Sequence, residues 1–168
     1  MNSTSGNVRA PVVLSGGFVV PEQVLCHATS LRKATRRISQ MYDVVLAPCG
    51  LRSTQRSILM QIARSQVPSM SELATALVID RSALAHNLKP LERDGFVSVD
   101  VDPNDRRSRL VTLTSVGEAK LIESQGYWEK AQECFELVLG AEQASDLRAS
   151  LAFIASSEYI EVAAASQG

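Results

Sequence analysis

The feature that most constrains the fold is a strand–turn–strand pattern that follows a predicted helix. Residues 96–101 alternate approximately between apolar and polar side chains, and residues 110–113 form a second short apolar segment. Between them lies the charged run Asp102-Pro103-Asn104-Asp105-Arg106-Arg107. Because Asp, Pro and Asn favour tight turns, this pattern predicts a β-hairpin with a basic tip.

Apolar residues recur at three- and four-residue steps on the N-terminal side of this hairpin, which is typical of amphipathic helices. The predicted helices are 22–47, 53 or 54 to 64, 70–77 and 80–94. Pro90 lies inside the fourth helix, where it is expected to bend the axis or mark the last turns. Only a few residues separate the third and fourth helices.

Polar residues at the expected helix starts support these boundaries. Ser53 or Thr54 is able to open the second helix. Ser69 and Glu72 fit a capping box, in which a hydroxyl and a carboxylate each accept a hydrogen bond from a free backbone amide. Asp80 is a good N-cap for the fourth helix.

Two further helices are predicted after the hairpin. Ser115 and Glu118 form another capping-box pattern at the start of a long helix, and Gly140 separates that helix from a last one. The 168 residues are 45% apolar with only eight aromatic side chains, so the core is expected to consist of helices packed through Leu, Ile, Val and Ala. The predicted fold class is mainly α with a small β-hairpin wing.

The predicted elements follow the order of a winged helix-turn-helix, which is a helix, a tight turn, a second helix and a basic hairpin. In that arrangement the first turns of the second helix of the pair enter the major groove of DNA. The residues predicted to contact bases or phosphates there are Arg81, Ser82, Ala83, His86 and Asn87. Arg106 and Arg107 at the hairpin tip suit the minor groove, where negative potential is focused.

Two of these assignments leave alternatives open. Arg106 and Arg107 are able to pair with Asp102 and Asp105 and support the wing, and this role is compatible with DNA contact. His86 is able to cap or to contact a phosphate instead of reading a base.

Several motifs resemble the multiple-antibiotic-resistance regulator (MarR) family over about residues 22–160. The most specific is D-P-x-D-R-R followed by V-x-L-T-x-x-G, at residues 102–107 and 111–117. The other matches are Gly50-Leu51, Thr54-Gln55, Ser71-Glu72-Leu73-Ala74, Asp80-Arg81-Ser82-Ala83-Leu84 and Leu91-Glu92-Arg93-Asp94-Gly95. His86 stands where many members have an arginine in the recognition helix.

The resemblance implies a homodimer that binds a near-palindromic operator in double-stranded DNA and acts as a repressor released by a small molecule. Dimerisation helices are expected over 22–48 and 115–163, around a winged helix-turn-helix at 51–114. These belong to one domain, 21–168, and residues 1–20 are predicted to form a flexible or strap-like arm.

Two kinds of signal suit such a regulator. An anionic or aromatic molecule lodged between the first helix and the DNA-binding lobe would meet Arg32, Arg36 or Arg56. The alternative is oxidation of Cys26, which lies where organic-hydroperoxide sensors of the same family keep a reactive cysteine and where a helix N-terminus favours the thiolate. For Trp128 and Tyr42 a place in the core is favoured over a role as a ligand platform.

The net charge of −1 conceals a polarised distribution. Residues 1–64 carry a net +6, residues 65–117 a net −1 and residues 118–168 a net −6. A dimer that turns its acidic end away from DNA would still present a positive face, and a solvated helix surface is the alternative interpretation.

Other protein classes find little support in the sequence. The apolar runs are too short for a membrane span, and Cys26, Cys49 and Cys134 lack the spacing of a zinc site or a disulfide framework. We therefore expect a cytoplasmic protein without cofactor or metal. The two histidines accompany no nucleophile elbow or phosphate-binding loop, so catalysis is not expected. A winged helix used only for protein contact stays as an alternative, although such a wing would not require a basic tip.

Overall fold

The computed structural model describes residues 12–17, 19–20 and 26–166 of the chain. They belong to two units, Met1–Ile38 and Ser39–Gly168. None of the helices in the described residues is long and apolar enough to cross a membrane.

The N-terminal unit contains a short backbone pairing and the start of the first helix. Val13 pairs with Val19 in an isolated antiparallel bridge, and the Val20 N–H donates to the Val12 carbonyl at 2.8 Å. Helix α1 spans His27–Leu46, followed by a 3₁₀ turn, Ala47–Cys49. Residues 1–11, 18 and 21–25, on which parts of the predicted arm and helix start fall, lie outside the described residues.

The predicted helix-turn-helix is confirmed in the second unit. Helices α2, α3 and α4 span Ser53–Ser65, Met70–Ala76 and Arg81–Arg93. The capping box is present, since the Ser69 N–H donates to Glu72 Oε2 at 2.8 Å and the Glu72 N–H donates to Ser69 Oγ at 3.2 Å. Asp80 caps α4 as predicted, and α4 continues through Pro90.

The predicted hairpin is also confirmed. Strands β1, Val97–Val101, and β2, Arg109–Leu113, pair antiparallel, with Val99 opposite Val111. The segment before α3 adds to this sheet, because the Val111 N–H donates to the Pro68 carbonyl at 2.9 Å. The wing is thus fixed to the helix-turn-helix through the backbone.

The predicted cap of the next helix was wrong by one residue. Helix α5 spans Ser115–Glu123, and Thr114 caps it by accepting a hydrogen bond from the Gly117 N–H at 3.0 Å. Thr114 has this role because its hydroxyl also donates to the Gly95 carbonyl at 2.6 Å, which holds it at the end of the hairpin.

Each of the two predicted C-terminal helices is divided. The first becomes α5 and α6, Gln125–Leu139, with the division at Ser124. The second becomes α7, Ala141–Ile154, and α8, Ser157–Ala165, with Ser156 as the cap of α8.

The hydrophobic core lies among α2, α3, α4 and the hairpin. It consists mainly of aliphatic side chains, which agrees with the low aromatic content. The large aliphatic residues with no exposed surface are Leu46, Leu59, Ile62, Leu73, Leu84, Leu91 and Val111. This core packs α4 and the wing together in one lobe, and the predicted fold class is confirmed.

Candidate nucleic-acid interface and a second site

The N-terminal turn of α4 presents the polar residues that the sequence singled out. Arg81 and Ser82 are exposed, and Ala83 is half-buried. Asp80 Oδ1 accepts hydrogen bonds from the Ser82 hydroxyl at 2.5 Å and from the Ala83 N–H at 2.7 Å. These bonds lower the pKa of Asp80, the Ser82 hydroxyl contributing most. The cap therefore stays ionised and fixes the start of α4.

One turn further along α4, His86 is exposed and Asn87 is half-buried. Both line a shallow depression of about 440 Å³ together with Lys89, Pro90 and Arg93. Arg93 is ion-paired with Asp94 at 2.8 Å. This surface offers imidazole, amide and ammonium donors on one helix.

The wing tip is shaped by two aspartates that bind backbone amides. Asp102 Oδ1 accepts from the Asn104 N–H at 2.8 Å, and Asp105 Oδ1 accepts from the Arg107 N–H at 3.0 Å. Side chains that bind the backbone two residues on are typical of Asx turns. The two aspartates thus hold the turn, and the guanidinium groups of the tip are not needed for that.

Arg106 and Arg107 are exposed at this tip. Neither of them forms an ion pair closer than 4.0 Å with any of the described residues. The predicted alternative was that the tip arginines pair with Asp102 and Asp105, and these ion pairs are not formed in the structure. Their charges face solvent, as a phosphate-binding wing requires.

A second site lies between the end of α1, α2 and α6. It is a cavity of about 500 Å³. Its lining residues are Tyr42, Leu46, Ser53, Arg56, Ser57, Met60, Gln61, Arg64, Gln125 and Trp128. It thus combines two arginines with two aromatic side chains, a composition that suits a small aromatic anion.

Arg56 is the most unusual residue of this cavity, because it is only 5% exposed and none of the ion pairs found in the described residues includes it. Its Nε donates to Ser124 Oγ at 3.0 Å and its Nη2 donates to Gln125 Oε1 at 2.7 Å. Burial lowers the pKa of this guanidinium. Since a buried cation without a contacting anion is costly, the site favours a negatively charged occupant.

The two aromatic residues of the cavity are held in place. The Arg56 guanidinium carbon lies 4.8 Å from the centroid of the Trp128 ring, a cation–π contact. The Tyr42 hydroxyl donates to Gln132 Oε1. Both residues pack against the hydrophobic core, as predicted. They also line the cavity, a role that the sequence analysis had favoured less.

The remaining predicted residues lie near the start of α1. Arg32 and Arg36 are exposed on the helix. Cys26 is exposed directly before it, and hydrogen bonds from the Thr29 hydroxyl and backbone lower the pKa of the thiol. Cys49 is buried, with Sγ 3.0 Å from the Leu46 carbonyl, and Cys134 is exposed.

Sequence reasoning missed Ser124 and Gln125, which bind Arg56 from a distance of 68 and 69 residues along the chain. No local pattern marks either residue. The only available sign was an arginine at a helix position with core spacing, because Arg56 lies three residues before Leu59, which is buried in α2.

Comparison with known proteins identifies a regulator family and a transcriptional regulator that are similar to this chain. A model of the MarR family matches residues 51–108, which include the helix-turn-helix and most of the wing. The transcriptional activatory protein BadR of Rhodopseudomonas palustris is 41% identical over 71 residues, which are 40% of this chain and 41% of BadR. The matched part therefore spans about two fifths of the length of that relative.

Solved structures extend the similarity to most of the chain. The transcriptional regulator MOSR of M. tuberculosis, in complex with DNA, is 31% identical, with a TM-score of 0.72 over 82% of this chain and 98% of MOSR. The transcriptional repressor CouR, bound to a DNA duplex, is 27% identical, with a TM-score of 0.71 over 78% of this chain and 93% of CouR.

Proposed function

This chain belongs to the MarR family of transcription regulators, and we propose that it binds a near-palindromic operator as a homodimer and so controls transcription in the cytoplasm. The observation that carries this proposal is the joint exposure of the α4 N-terminus and of the unpaired Arg106 and Arg107 on one lobe. Proteins of this family act as DNA-binding regulators and not as enzymes.

Each lobe would use two elements on DNA. The first turns of α4 enter the major groove, where Arg81, His86 and Asn87 meet base edges and phosphates. The wing tip reaches the adjacent minor groove, where Arg106 and Arg107 supply charge. The rival function, a winged helix for protein contact alone, gives no role to unpaired guanidinium groups at the tip.

Exposed apolar side chains on the C-terminal helices support the dimer. On α6, Leu137 and Val138 are 87% and 88% exposed, and on α8, Ile160 and Val162 are 64% and 52% exposed. Large apolar side chains with this much exposed surface are typical of a surface that a partner covers. A second copy would bury them by two-fold symmetry and place two α4 helices about one helical turn of DNA apart.

The test is selection of operator DNA from the native genome, followed by binding at several salt concentrations. We expect a symmetric footprint, a dimeric complex and a log–log slope of about −0.9 per neutralised phosphate. A protein that stays monomeric at micromolar concentration, or whose DNA binding is indifferent to salt, would contradict the proposal.

The effector of this regulator would be a small aromatic carboxylate that occupies the cavity beside Arg56. A carboxylate supplies the missing counter-charge for Arg56, with Arg64 near it on the same lining, and an aromatic ring suits Trp128 and Tyr42. Arg32 and Arg36 are exposed on α1, and their part in effector binding stays a prediction from the sequence.

Thermal-shift screening of aromatic carboxylates, followed by operator release, tests the effector. Arg56→Lys is a sharp variant, because it keeps the charge but loses the planar fork that binds a carboxylate with two hydrogen bonds. We expect weaker binding of the acid by this variant and none of the uncharged amide analogue by the wild type. Equal binding of acid and amide would contradict the carboxylate assignment.

Repression is the proposed direction of control, since a dimer on an operator that overlaps a promoter excludes polymerase. BadR is named as an activatory protein and CouR as a repressor. The position of the selected operator relative to the promoter therefore decides the outcome, and an operator upstream of the promoter would reverse the proposal.

A second candidate signal is oxidation of Cys26. The observation that favours it is an exposed thiol whose pKa is lowered by hydrogen bonds at the start of α1. Operator binding by wild type and Cys26→Ser is compared before and after a stoichiometric organic hydroperoxide, with Cys134→Ser as the matched exposed control. Release in wild type and Cys134→Ser but not in Cys26→Ser would establish redox sensing, and equal binding in all samples would end it.

A further inference from the structure

The division between α5 and α6 lies at Ser124. The Ser124 hydroxyl donates to the Leu121 carbonyl at 2.7 Å, and the residue has no exposed surface. A serine side chain that binds a carbonyl of the preceding turn competes with the helix hydrogen bonds and bends helices. Ser124 is therefore a joint in an otherwise helical segment from Ser115 to Leu139.

The two sides of this joint pack on different parts of the protein. Helix α5 packs against α2 and β2, and its Gly117 touches the backbone of Phe96 at the hairpin. Helix α6 packs against α7. A change of angle at Ser124 would therefore move the winged lobe relative to the C-terminal helices that carry the proposed dimer surface.

Arg56 of α2 forms hydrogen bonds to two residues at this joint. Its Nε donates to Ser124 Oγ and its Nη2 donates to Gln125 Oε1, so one guanidinium holds the residue of the joint and the first residue of α6. It also lies over Trp128, one turn further along α6. Gln125 is fixed in turn, because its Nε2 donates to Glu129 Oε1 at 2.8 Å.

The same guanidinium lines the 500 Å³ cavity. Both of its hydrogen-bond acceptors at the joint are neutral oxygens. A carboxylate that binds Arg56 side-on, through Nε and Nη2, would replace both neutral acceptors with charge-assisted hydrogen bonds, which are about twice as strong. An anion and the joint therefore compete for Arg56.

We propose that Arg56 is the positioning residue that couples the cavity to DNA binding, because an anion in the cavity draws it away from Ser124 and Gln125 and releases the α5–α6 joint. This inference rests on the proposed function. Without an anion, Arg56 holds the joint and keeps the DNA-binding lobe in the orientation that binds the operator. With an anion, Arg56 leaves the joint and this orientation is lost.

Trp128 makes the coupling measurable, because it is the only tryptophan of the chain and contacts Arg56 directly. Ser124→Ala removes the hydroxyl that Arg56 binds. We expect it to shift the Trp128 emission and to weaken operator binding by about fivefold or more, the lower end of typical coupling between sites. Ser124→Thr keeps a hydroxyl and is expected to restore both properties.

Ser150→Ala is the matched control, since Ser150 on α7 lies outside the cavity, is exposed, and also donates its hydroxyl to a carbonyl of the preceding turn, that of Asp146 at 2.9 Å. We expect it to bind operator like the wild type. Binding is measured well below the unfolding temperature, so that a purely structural role of Ser124 would lower that temperature without changing operator affinity. Wild-type emission and affinity in Ser124→Ala would overturn the inference while leaving the proposed function intact. A wild type that binds no DNA would overturn both.

Titration with benzoate, the simplest aromatic carboxylate, provides the second readout. Benzoate is expected to change Trp128 emission in the wild type in the direction of Ser124→Ala, and to have a smaller effect in that variant. An equal benzoate response in wild type and Ser124→Ala, accompanied by operator release in both, would place the coupling elsewhere than at Ser124.

Discussion

Gly117 lies against the backbone of Phe96 so closely that a Cβ atom would stand 1.9 Å from the Phe96 carbonyl oxygen. That oxygen also accepts a hydrogen bond from the Thr114 N–H at 3.1 Å. The start of α5 thus lies directly against the residue that precedes β1. This close contact is a physical reason for the last glycine of the V-x-L-T-x-x-G motif.

Gly117→Ala is expected to destabilise the protein by about 1–3 kcal/mol or more, because the neighbouring atom is backbone and cannot turn aside. Gly126→Ala is the control, since nothing lies within 4 Å of its Cβ position and alanine favours helix α6. Chemical denaturation of both variants measures the difference. A Gly117→Ala protein as stable as the wild type would contradict the close approach.

Arg107→Ala is expected to weaken binding to all DNA sequences and to reduce the magnitude of the salt slope by about 1, because a wing arginine contributes charge and not base identity. Arg148→Ala removes the same charge from α7, where Arg148 is paired with Glu136. Titrations at several salt concentrations compare the two. Equal losses would mean that only net charge matters.

His86→Ala and Asn87→Ala are expected to change base preference at one or two positions of the operator, by about 1–3 kcal/mol each where contacts are direct. Glu92→Ala, an exposed change nearer the end of α4, serves as the control. Selection from a randomised DNA pool gives the preference of each variant. The same motif from every variant would remove the base-reading role of α4.

Asp80 is expected to give α4 a pH-dependent cap. Hydrogen bonds from Ser82 and Ala83 lower the pKa of Asp80 below the ordinary 3.8. The stabilisation that the ionised cap gives the folded protein is therefore present above pH 3.8 and is lost as the pH falls through the lowered pKa. Asp80→Asn keeps the cap without the charge, and Asp80→Ala removes both. Thermal unfolding should show Asp80→Ala weakest at pH 7, with wild type and Asp80→Ala converging in strong acid. A difference between them that is independent of pH would contradict this assignment.

Cys26 is expected to react with iodoacetamide with a pH midpoint below the ordinary thiol pKa of 9.0, because hydrogen bonds from Thr29 stabilise the thiolate. Thr29→Ala should move the midpoint upward. Mass spectrometry distinguishes alkylation at Cys26 from that at the exposed Cys134. A midpoint at or above 9.0 in the wild type would disprove the lowered pKa.

Much of the DNA-binding lobe was predictable because its signals are local. The Ser69–Glu72 box and the Asp80 cap need only a few neighbouring residues, and the turn at Asp102–Arg107 follows from the residue types themselves. The same locality explains the errors. Ser115 was chosen as a cap on spacing alone, whereas Thr114 has the role because Gly95, distant in sequence, binds its hydroxyl.

The sequence by itself determined the order of the helices before the hairpin, the position of the hairpin and the polar residues at the start of α4 and at the wing tip, since periodicity, capping and turn chemistry act over a few residues. Only the tertiary structure decided that Tyr42, Arg56 and Trp128 surround one cavity and that Arg56 reaches Ser124. These residues come from α1, α2 and the α5–α6 joint, and only packing brings such distant segments together. Packing also made Arg56 a buried cation that forms no ion pair with any of the described residues.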